Sequence, residues 1–597
     1  MYSSVEEVYN TIKELQQIGE VIAGTDNEEK IIRYVEQILR DNGLEVKKQP
    51  VKIMTWNPIS ALIYVEGKEY TPTIQPYSPT AQVEGRIVYV GHGLLEEELK
   101  KIKPYETIAL AKLHENLDYY ETQYTNIMEQ GALAIIFYDP YPGRKRKLVA
   151  SGSTDYHYRP GKPLRIPVLH VTLEEGKELM KIAENNQYIQ LEVKTKIIHD
   201  AKGYNIISII PGRYEDKQII VSAHHDHWFT GASDNLAGIA VILYLARILS
   251  KKHYNATIKI ISFTAEESGA PAYTPWYWAY GSRRYVEELE YLNKLDDIIA
   301  VVNIDAVART PININATGIE FQALLEVIAE SLNINYKIGY DHPYCDSYSF
   351  SMKGVPSVCI NSIDAILDIY HTDLDTIEVI EKQIIKQIIS LIHKAVDYIA
   401  SKENPYSALG YLTYAYKLHT ILREKTPPSV HIHSYRILEE TRIALREKRF
   451  KDLYTAFKEL NKEIIKPVFR GIYEKDAGGF ETVLLPQLEV LEDIKEIDKA
   501  IKLLGKNKVS EAIKVLDKLP RARIIPGIEY KINHTNIKEL VKMLKHNIKL
   551  KQNILTILLE EKRSLLRLLE YYYHELAIKL AKIADKLIEY RIKSKHK

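Results

Sequence analysis

Cysteine is almost missing: Cys345 and Cys359 are the only two in 597 residues. One bridge at most excludes a disulfide framework, and a zinc cage built of several thiolates is excluded with it. Both are read as ordinary buried residues. An excess of one charge is missing too, since 80 Lys+Arg face 79 Asp+Glu and leave a net charge of +1. No global field then draws the protein to a polyanion, so neither nucleic acid nor a membrane is expected as a partner. No run approaches the roughly 18 uninterrupted apolar residues of a spanning helix, and Met1–Val8 has neither a basic nor an apolar leader pattern. The expectation is a soluble, cytoplasmic protein. Phe (9), Met (6) and Trp (4) are scarce beside 43 Tyr and abundant Ile, Lys and Glu, a profile compatible with selection for heat resistance. What remains, 46% hydrophobic and 27% charged, is a globular composition with chain enough for three or four domains of about 150 residues.

The patterning changes three times along the chain. Ile31, Ile32, Val35, Ile38 and Leu39 predict an amphipathic helix before a strand at 44–53, which opens an α/β domain. From about Ala61, short strands at 86–91, 106–111, 131–138 and 166–171 separated by turns predict a β-rich inserted module. From Tyr204, strands near 204–210, 218–223, 257–264, 298–306 and 356–360 alternate with helices near 235–252, 282–293, 318–333 and 380–401. That alternation predicts an α/β class fold, a three-layer α/β/α domain. Beyond about Ser407 the pattern is helical. Its last segment carries Leu566, Leu569, Tyr573, Leu576, Leu580, Ile583, Leu587 and Tyr590 at heptad spacing, either packed within the protein's own bundle or paired with a second chain.

Chemistry gathers at the strand ends. One apolar strand runs into His224-His225-Asp226-His227, with Asp234-Asn235 shortly after; the next runs into Glu266-Glu267; a third ends at Asp305. Tips of this kind line the carboxyl rim of an open α/β sheet, where such folds form their sites. A single His or Asp there is most often a cap. With His371, however, the set offers two imidazole nitrogens and several carboxylates able to close on two divalent cations, with zinc the default and cobalt or manganese of similar geometry. The P-loop, G-x-S-x-G elbow, H-E-x-x-H helix and dinucleotide fingerprint do not occur.

The ordered set H-x-D, D-N, E-E, D and H-T-x-x-D-T resembles the M28 family of co-catalytic zinc aminopeptidases and carboxypeptidases. In layout it is most similar to the glutamate carboxypeptidase and transferrin-receptor branch, with Trp228 and Gly231 fitting that branch's local pattern. The resemblance implies a catalytic domain over 1–60 and 196–402, an inserted protease-associated (PA) domain over 61–195, and a helical C-terminal domain over 403–597 placed where that branch dimerises. It implies that His224 and Asp305 hold one zinc, Glu267 and His371 the other, and Asp234 bridges them. It further implies Glu266 as general base, Asp226 accepting from His224, and a cis peptide at Asp234–Asn235.

Some residues depart from the family pattern. His225 and His227 flank the motif and are read as lining the pocket; the stretch Ser268–Tyr280 is longer than usual, its aromatics either walling a specificity pocket or packing as a surface loop. The family's S-D-H-x-x-F segment becomes Cys345-Asp346-Ser347-Tyr348-Ser349-Phe350, which leaves Tyr344 or His342 as the transition-state donor and Asp346 beside them toward the substrate. The basic run Arg144–Lys147 is expected to be a solvated loop. The implied function is a metal-dependent exopeptidase acting on peptides, an aminopeptidase first and a carboxypeptidase second. A one-zinc glutaminyl-cyclase-like acyltransferase and an inactive receptor-like protein are the more distant readings.

Overall fold

The computed structural model describes residues 2–150, 163–271, 278–402, 406, 408–470, 479–516, 523–524 and 537–595. The chain divides into two compact units: Met1–Ala316, Leu324–Ser351 and Val355–Pro405 form the first, and Thr317–Ala323, Met352–Gly354 and Tyr406–Lys597 the second.

The first unit is organised by one long sheet. Its strands are β1 (Glu45–Val65), β2 (Lys68–Tyr70), β3 (Thr73–Ile74), β4 (Ala81–Tyr89), β5 (Thr107–Lys112), β6 (Ala134–Tyr138), β7 (Val168–Val171), β8 (Tyr188–Ile210), β9 (Gly212–His224), β10 (Tyr254–Phe263), β11 (Ile298–Ile304), β12 (Ile312–Thr317), β13 (Tyr336–Gly339) and β14 (Ser357–Asn361). They lie in the order β13-β12-β14-β11-β9-β10-β8-β4-β5-β6-β7-β3, with β1 beside β8. Strands β14, β11, β9 and β10 are parallel, and β11 and β14 are buried at every residue, as expected of strands covered on both faces. One face carries the helices Tyr2–Leu15, Asp26–Asp41, Ala237–Leu249 and Lys382–Ser401; the other carries Tyr280–Tyr291 and Asp346–Ser351, whose Tyr285, Val286, Leu289 and Phe350 pack on Ile220, Ile261 and Val301. This is the three-layer arrangement expected. The window Ala232–Leu249 is long and apolar enough to cross a membrane by composition, but 83% of it is buried in the protein, which is the signature of a core helix.

The inserted block is built on β4, β5, β6 and β7, a parallel set with the helices Tyr120–Glu129 and Leu173–Glu184, so it holds more helix than its strands and turns suggest. Positions 60/61 and 195/196 fall inside β1 and β8. These two strands pair without a break in the chain from Glu45↔Ile209 to Tyr64↔Gln190, with bulges at Ile53/Thr55 and Pro58/Ser60, and form one ribbon through both halves of the sheet. Pro50 and Pro58 are tolerated because β1 has a partner on one side only over that stretch.

The second unit is helical, with an addition: Ile465–Arg470, Gly479–Leu484 and Arg523–Ile524 form a three-stranded antiparallel sheet. Pro467 cannot continue the preceding helix, and the Val, Phe and Thr around it favour an extended chain. In the final helix, Lys551–Lys595, the buried stripe is Ile554, Leu558, Glu561, Leu565, Leu569, Tyr572, Leu576, Leu580, Ile583 and Leu587. Those steps run four, three, four, an eleven-residue period that keeps a nearly straight helix in register with its neighbours. The stripe packs on the unit's own helices Pro428–Arg446, Phe450–Ile464 and Val490–Gly505, whereas Leu566 of the heptad pattern is 41% exposed. Five of the eight heptad positions, Leu569, Leu576, Leu580, Ile583 and Leu587, are thus covered within the protein's own bundle, the first of the two alternatives for this stripe. Parts of the turns near 476–479 and 520–526 lie outside the described residues, as do 272–277 of the aromatic stretch.

Candidate metal centre

Register brings the strand tips together. Phe263 pairs with His224 and Asn303 with Ser222, so the carboxyl ends of β10, β9 and β11 stand side by side. His224 is the last residue of β9, Asp305 follows β11, and Glu266-Glu267 lie just past β10 beyond Ala265, whose φ of 53° turns the chain sharply. Asp234 sits in the turn that opens the helix Ala237–Leu249, and the Asp234–Asn235 peptide is cis. Gly231 makes that turn possible: its φ is 55°, and a Cβ there would meet the His227 ring at 2.5 Å. His371 arrives from a distant loop and is itself left-handed, with φ 57°.

Asp234 is the hinge of the geometry. Its Oδ1 is 3.2 Å from His224 Nε2, and its Oδ2 is 3.2 Å from His371 Nε2. Asp305 Oδ1 completes the first group at 3.2 Å from His224 Nε2, and Glu267 Oε1 the second at 3.0 Å from His371 Nε2. Two buried triads result, His224–Asp234–Asp305 and Asp234–Glu267–His371, each with its donor atoms within 4.8 Å of one another. Asp234 Oδ1, Glu267 Oε1 and His371 Nε2 are buried without a directed hydrogen bond. Buried polar atoms normally find partners, so converging acceptors that lack them fit cations held at both triads. Glu266 belongs to neither triad; its Oε2 stands 4.0 Å from His224 Nε2.

Charges in so dry a place disturb one another. Burial, then Asp305, Asp346 and Glu267, push the Glu266 carboxyl well above its ordinary range, although His224 opposes them. Burial raises Glu267 to about 7, against the pull of His371. Burial would lower His371, but Glu267 and Asp234 beside it lift its imidazole to about 9. This concentration of perturbed groups is what a reactive site requires.

The supporting contacts differ in part from expectation. His224 Nδ1 lies 2.9 Å from the backbone carbonyl of Asp226, which leaves Nε2 free for a cation. The Asp226 carboxylate stays 3.9 Å from that nitrogen and accepts instead from the backbone N–H groups of Glu266 and Glu267, each at 3.1 Å. A backbone carbonyl two residues along is the shorter reach, and the freed carboxylate sets the Glu pair. His225 and His227 are not pocket lining: His225 meets Ser262 and Glu28, and His227 the carbonyls of His225 and Gly19. Asp346 is wholly buried and raised to about 7, chiefly by burial, so it neighbours Glu266 rather than a substrate. His342 and Tyr344 stand edge to face at 5.7 Å, and Tyr344 meets Trp278 at 5.6 Å, as one half-buried aromatic wall. Cys345 and Cys359 are buried near Asp305 with sulfurs 2.7 Å apart.

Three contributors escape the sequence reading. Tyr370 stacks on His371 at 3.7 Å, and burial, followed by the charges of Asp234, Glu267, Glu266 and Asp305, raises its phenol well above the ordinary value. Its position next to His371 was the available signal. Asp375 accepts from the N–H groups of Ser233 at 2.8 Å and Asp234 at 3.2 Å and so holds the bridging turn. It is the D of the H-T-x-x-D pattern. Arg146, in the run expected to be solvated, is fully buried.

Residues 205–396, which hold all five triad members and Glu266, match the family model for peptidase family M28. The segment is similar to M28 peptidases. Among curated proteins, the aminopeptidase YwaD of Bacillus subtilis is 26% identical over 426 residues, covering 66% of this chain and 85% of that one. Carboxypeptidase Q of Xenopus laevis is 24% identical over 394 residues, covering 61% and 79%. Among solved structures, a zinc aminopeptidase from Bacillus subtilis superposes with a TM-score of 0.55 at 22% identity over 67% of this chain and 96% of its own. That likeness concerns the fold. The M28 unit is thus that of a metallopeptidase, with both aminopeptidases and carboxypeptidases among its relatives.

Proposed function

We propose that the protein is a two-zinc exopeptidase, an aminopeptidase that removes N-terminal residues from peptides with Glu266 as general base. The observation that carries this reading is the pair of carboxylate oxygens on Asp234, each 3.2 Å from a different imidazole, with Glu266 beside them and outside both triads. His224, Asp234 and Asp305 would hold one cation, and Asp234, Glu267 and His371 the other. Zinc suits this nitrogen and carboxylate set; cobalt or manganese would suit it similarly. When bound, the cations supply Lewis acidity to a nucleophilic water and to the scissile carbonyl. Glu266, whose carboxyl burial and its acidic neighbours push toward the protonated form, takes the proton of that water and passes it to the departing amine. Asp226 holds the Glu266 backbone, and Trp228 Nε1 donates to Glu267 Oε2 at 2.9 Å.

The relatives named carboxypeptidase Q support a second reading, a carboxypeptidase with the same centre. One experiment decides: metal content by mass spectrometry, with hydrolysis of free-amine and N-blocked peptide panels, for wild type and Glu266→Gln. Two metals per chain, cleavage at free N-termini, and a Glu266→Gln variant that keeps metal while kcat falls by about 10²–10⁴ are expected. Cleavage of N-blocked peptides alone moves the assignment to carboxypeptidase, and a metal-free, inactive wild type removes both.

A further inference from the structure

The run Arg144–Lys147 leaves the inserted block and lies along the loop that carries His371. Arg146 forms an antiparallel bridge with Thr372, Lys147 N–H donates to the His371 carbonyl at 3.0 Å, and Asp373 N–H donates to the Lys145 carbonyl at 3.1 Å. The Lys145 N–H returns to Asp373 Oδ1 at 2.9 Å. Inside this short ladder the guanidinium of Arg146 is fully buried. Its Nε donates to Asp139 Oδ2 at 3.0 Å, Nη1 to Leu367 O at 3.2 Å and to Tyr370 O, and Nη2 to Asp368 O at 3.1 Å. Asp139 is equally buried and supplies the counter-charge without which a cation could not sit there. A planar fork that spends its N–H groups on one carboxylate and the three carbonyls of Leu367, Asp368 and Tyr370 does a job lysine cannot do. Gln75 fixes the segment from behind, donating to Arg146 O at 2.6 Å and accepting from Leu148 N–H at 2.9 Å.

The next residue reaches the other ligand of the same triad. The Lys147 ammonium pairs with Glu20 and lies over the rings of Phe229 at 4.8 Å, Trp56 at 5.6 Å and Trp228 at 5.8 Å. Trp228 is the residue whose indole N–H holds Glu267. One segment of the inserted block therefore touches His371 directly and Glu267 through a single side chain. Among the described residues, no such tie reaches His224 and Asp305 at the ends of β9 and β11.

We propose that Arg146 is a positioning residue for the Glu267–His371 half of the centre, so that the inserted block completes one cation site and leaves the His224–Asp305 site to the sheet. This rests on the two-metal reading above. The test is calorimetric titration of metal-free protein with zinc, for wild type, Arg146→Lys and the double variant Arg146→Gln/Asp139→Asn, with circular dichroism to show that each is folded. The wild type is expected to take two zinc ions. Each variant is expected to keep one site at wild-type affinity and to weaken the other at least about tenfold, with activity recovering in excess zinc. Two sites of unchanged affinity in folded variants, or equal loss at both, would make the segment a tie between parts of the fold and overturn the proposal. Should both variants fail to fold, Gln75→Ala loosens the segment without disturbing the buried cation and carries the same expectation. Failure of the two-metal reading appears in the wild type, whereas failure of this proposal appears only in the variants.

Discussion

The two halves of the centre are built in opposite ways. His224 and Asp305 continue adjacent, fully buried parallel strands, and their separation follows from strand register. Glu267 follows a left-handed Ala265, His371 is itself left-handed, and this half is held by Trp228 and by a segment more than two hundred residues earlier in the chain. A ladder of backbone hydrogen bonds places the first pair, and the left-handed residue on this side, Ala306 with φ 46°, comes only after Asp305. Residues in sparsely populated backbone conformations persist only where surrounding contacts over-determine them.

That asymmetry can be attacked at its shared member first. Asp234→Ala should abolish turnover and take zinc stoichiometry from two to zero; retention of one zinc would show that the halves do not share the bridge. Next in size, Asp305→Ala and Glu267→Ala should each remove one zinc. Each should also lower thermal stability of the metal-free protein, because Asp305 is the partner of the His224 cation and Glu267 that of the His371 cation. A smaller effect is expected of Trp228→Phe, which keeps the ring but not the N–H: about 10- to 100-fold weaker binding of one zinc by calorimetry, the other unaffected.

The smallest expected effect is in pH. With metal absent, His371 is raised from 6.5 to about 9, so the stability its cation contributes is complete below pH 6.5 and lost as pH rises through 9. A metal ion must displace that proton. Affinity at this half should therefore climb by up to about tenfold per pH unit toward 9, with proton release visible as buffer-dependent heat. A flat profile between pH 6.5 and 9 would contradict it.

What could be read in advance follows the same division. The three-layer unit and the convergence of His224, Asp234, Glu266, Glu267, Asp305 and His371 were legible because apolar strands that run into polar tips announce themselves locally. Arg146 was not: nothing within a run of four basic residues says that one of them is buried against carbonyls at 367–370. Asp226 was assigned to the correct neighbourhood and the wrong donor, since the choice between its carboxylate and its carbonyl depends on how the chain turns after β9. Tyr370 was not singled out, although it is next to His371 in the sequence and its ring stacks on it. Of the ribbon, the strand at 44–53 was read across Pro50, but its continuation to Val65 was obscured by Pro58, which argues against a strand until the missing partner on one side is known.

That ribbon also sets a schedule for synthesis. β1 ends at Val65, and its partner begins at Tyr188 and closes the pairing only at Ile209. At about 5–20 residues per second, the nascent chain carries an unpaired 21-residue strand for roughly 5–30 s before its mate leaves the ribosome. During that interval the exposed Lys47, Lys48, Pro50 and Lys52 guard the strand against pairing with a neighbouring chain. That proline and those lysines are thus what lets β1 wait.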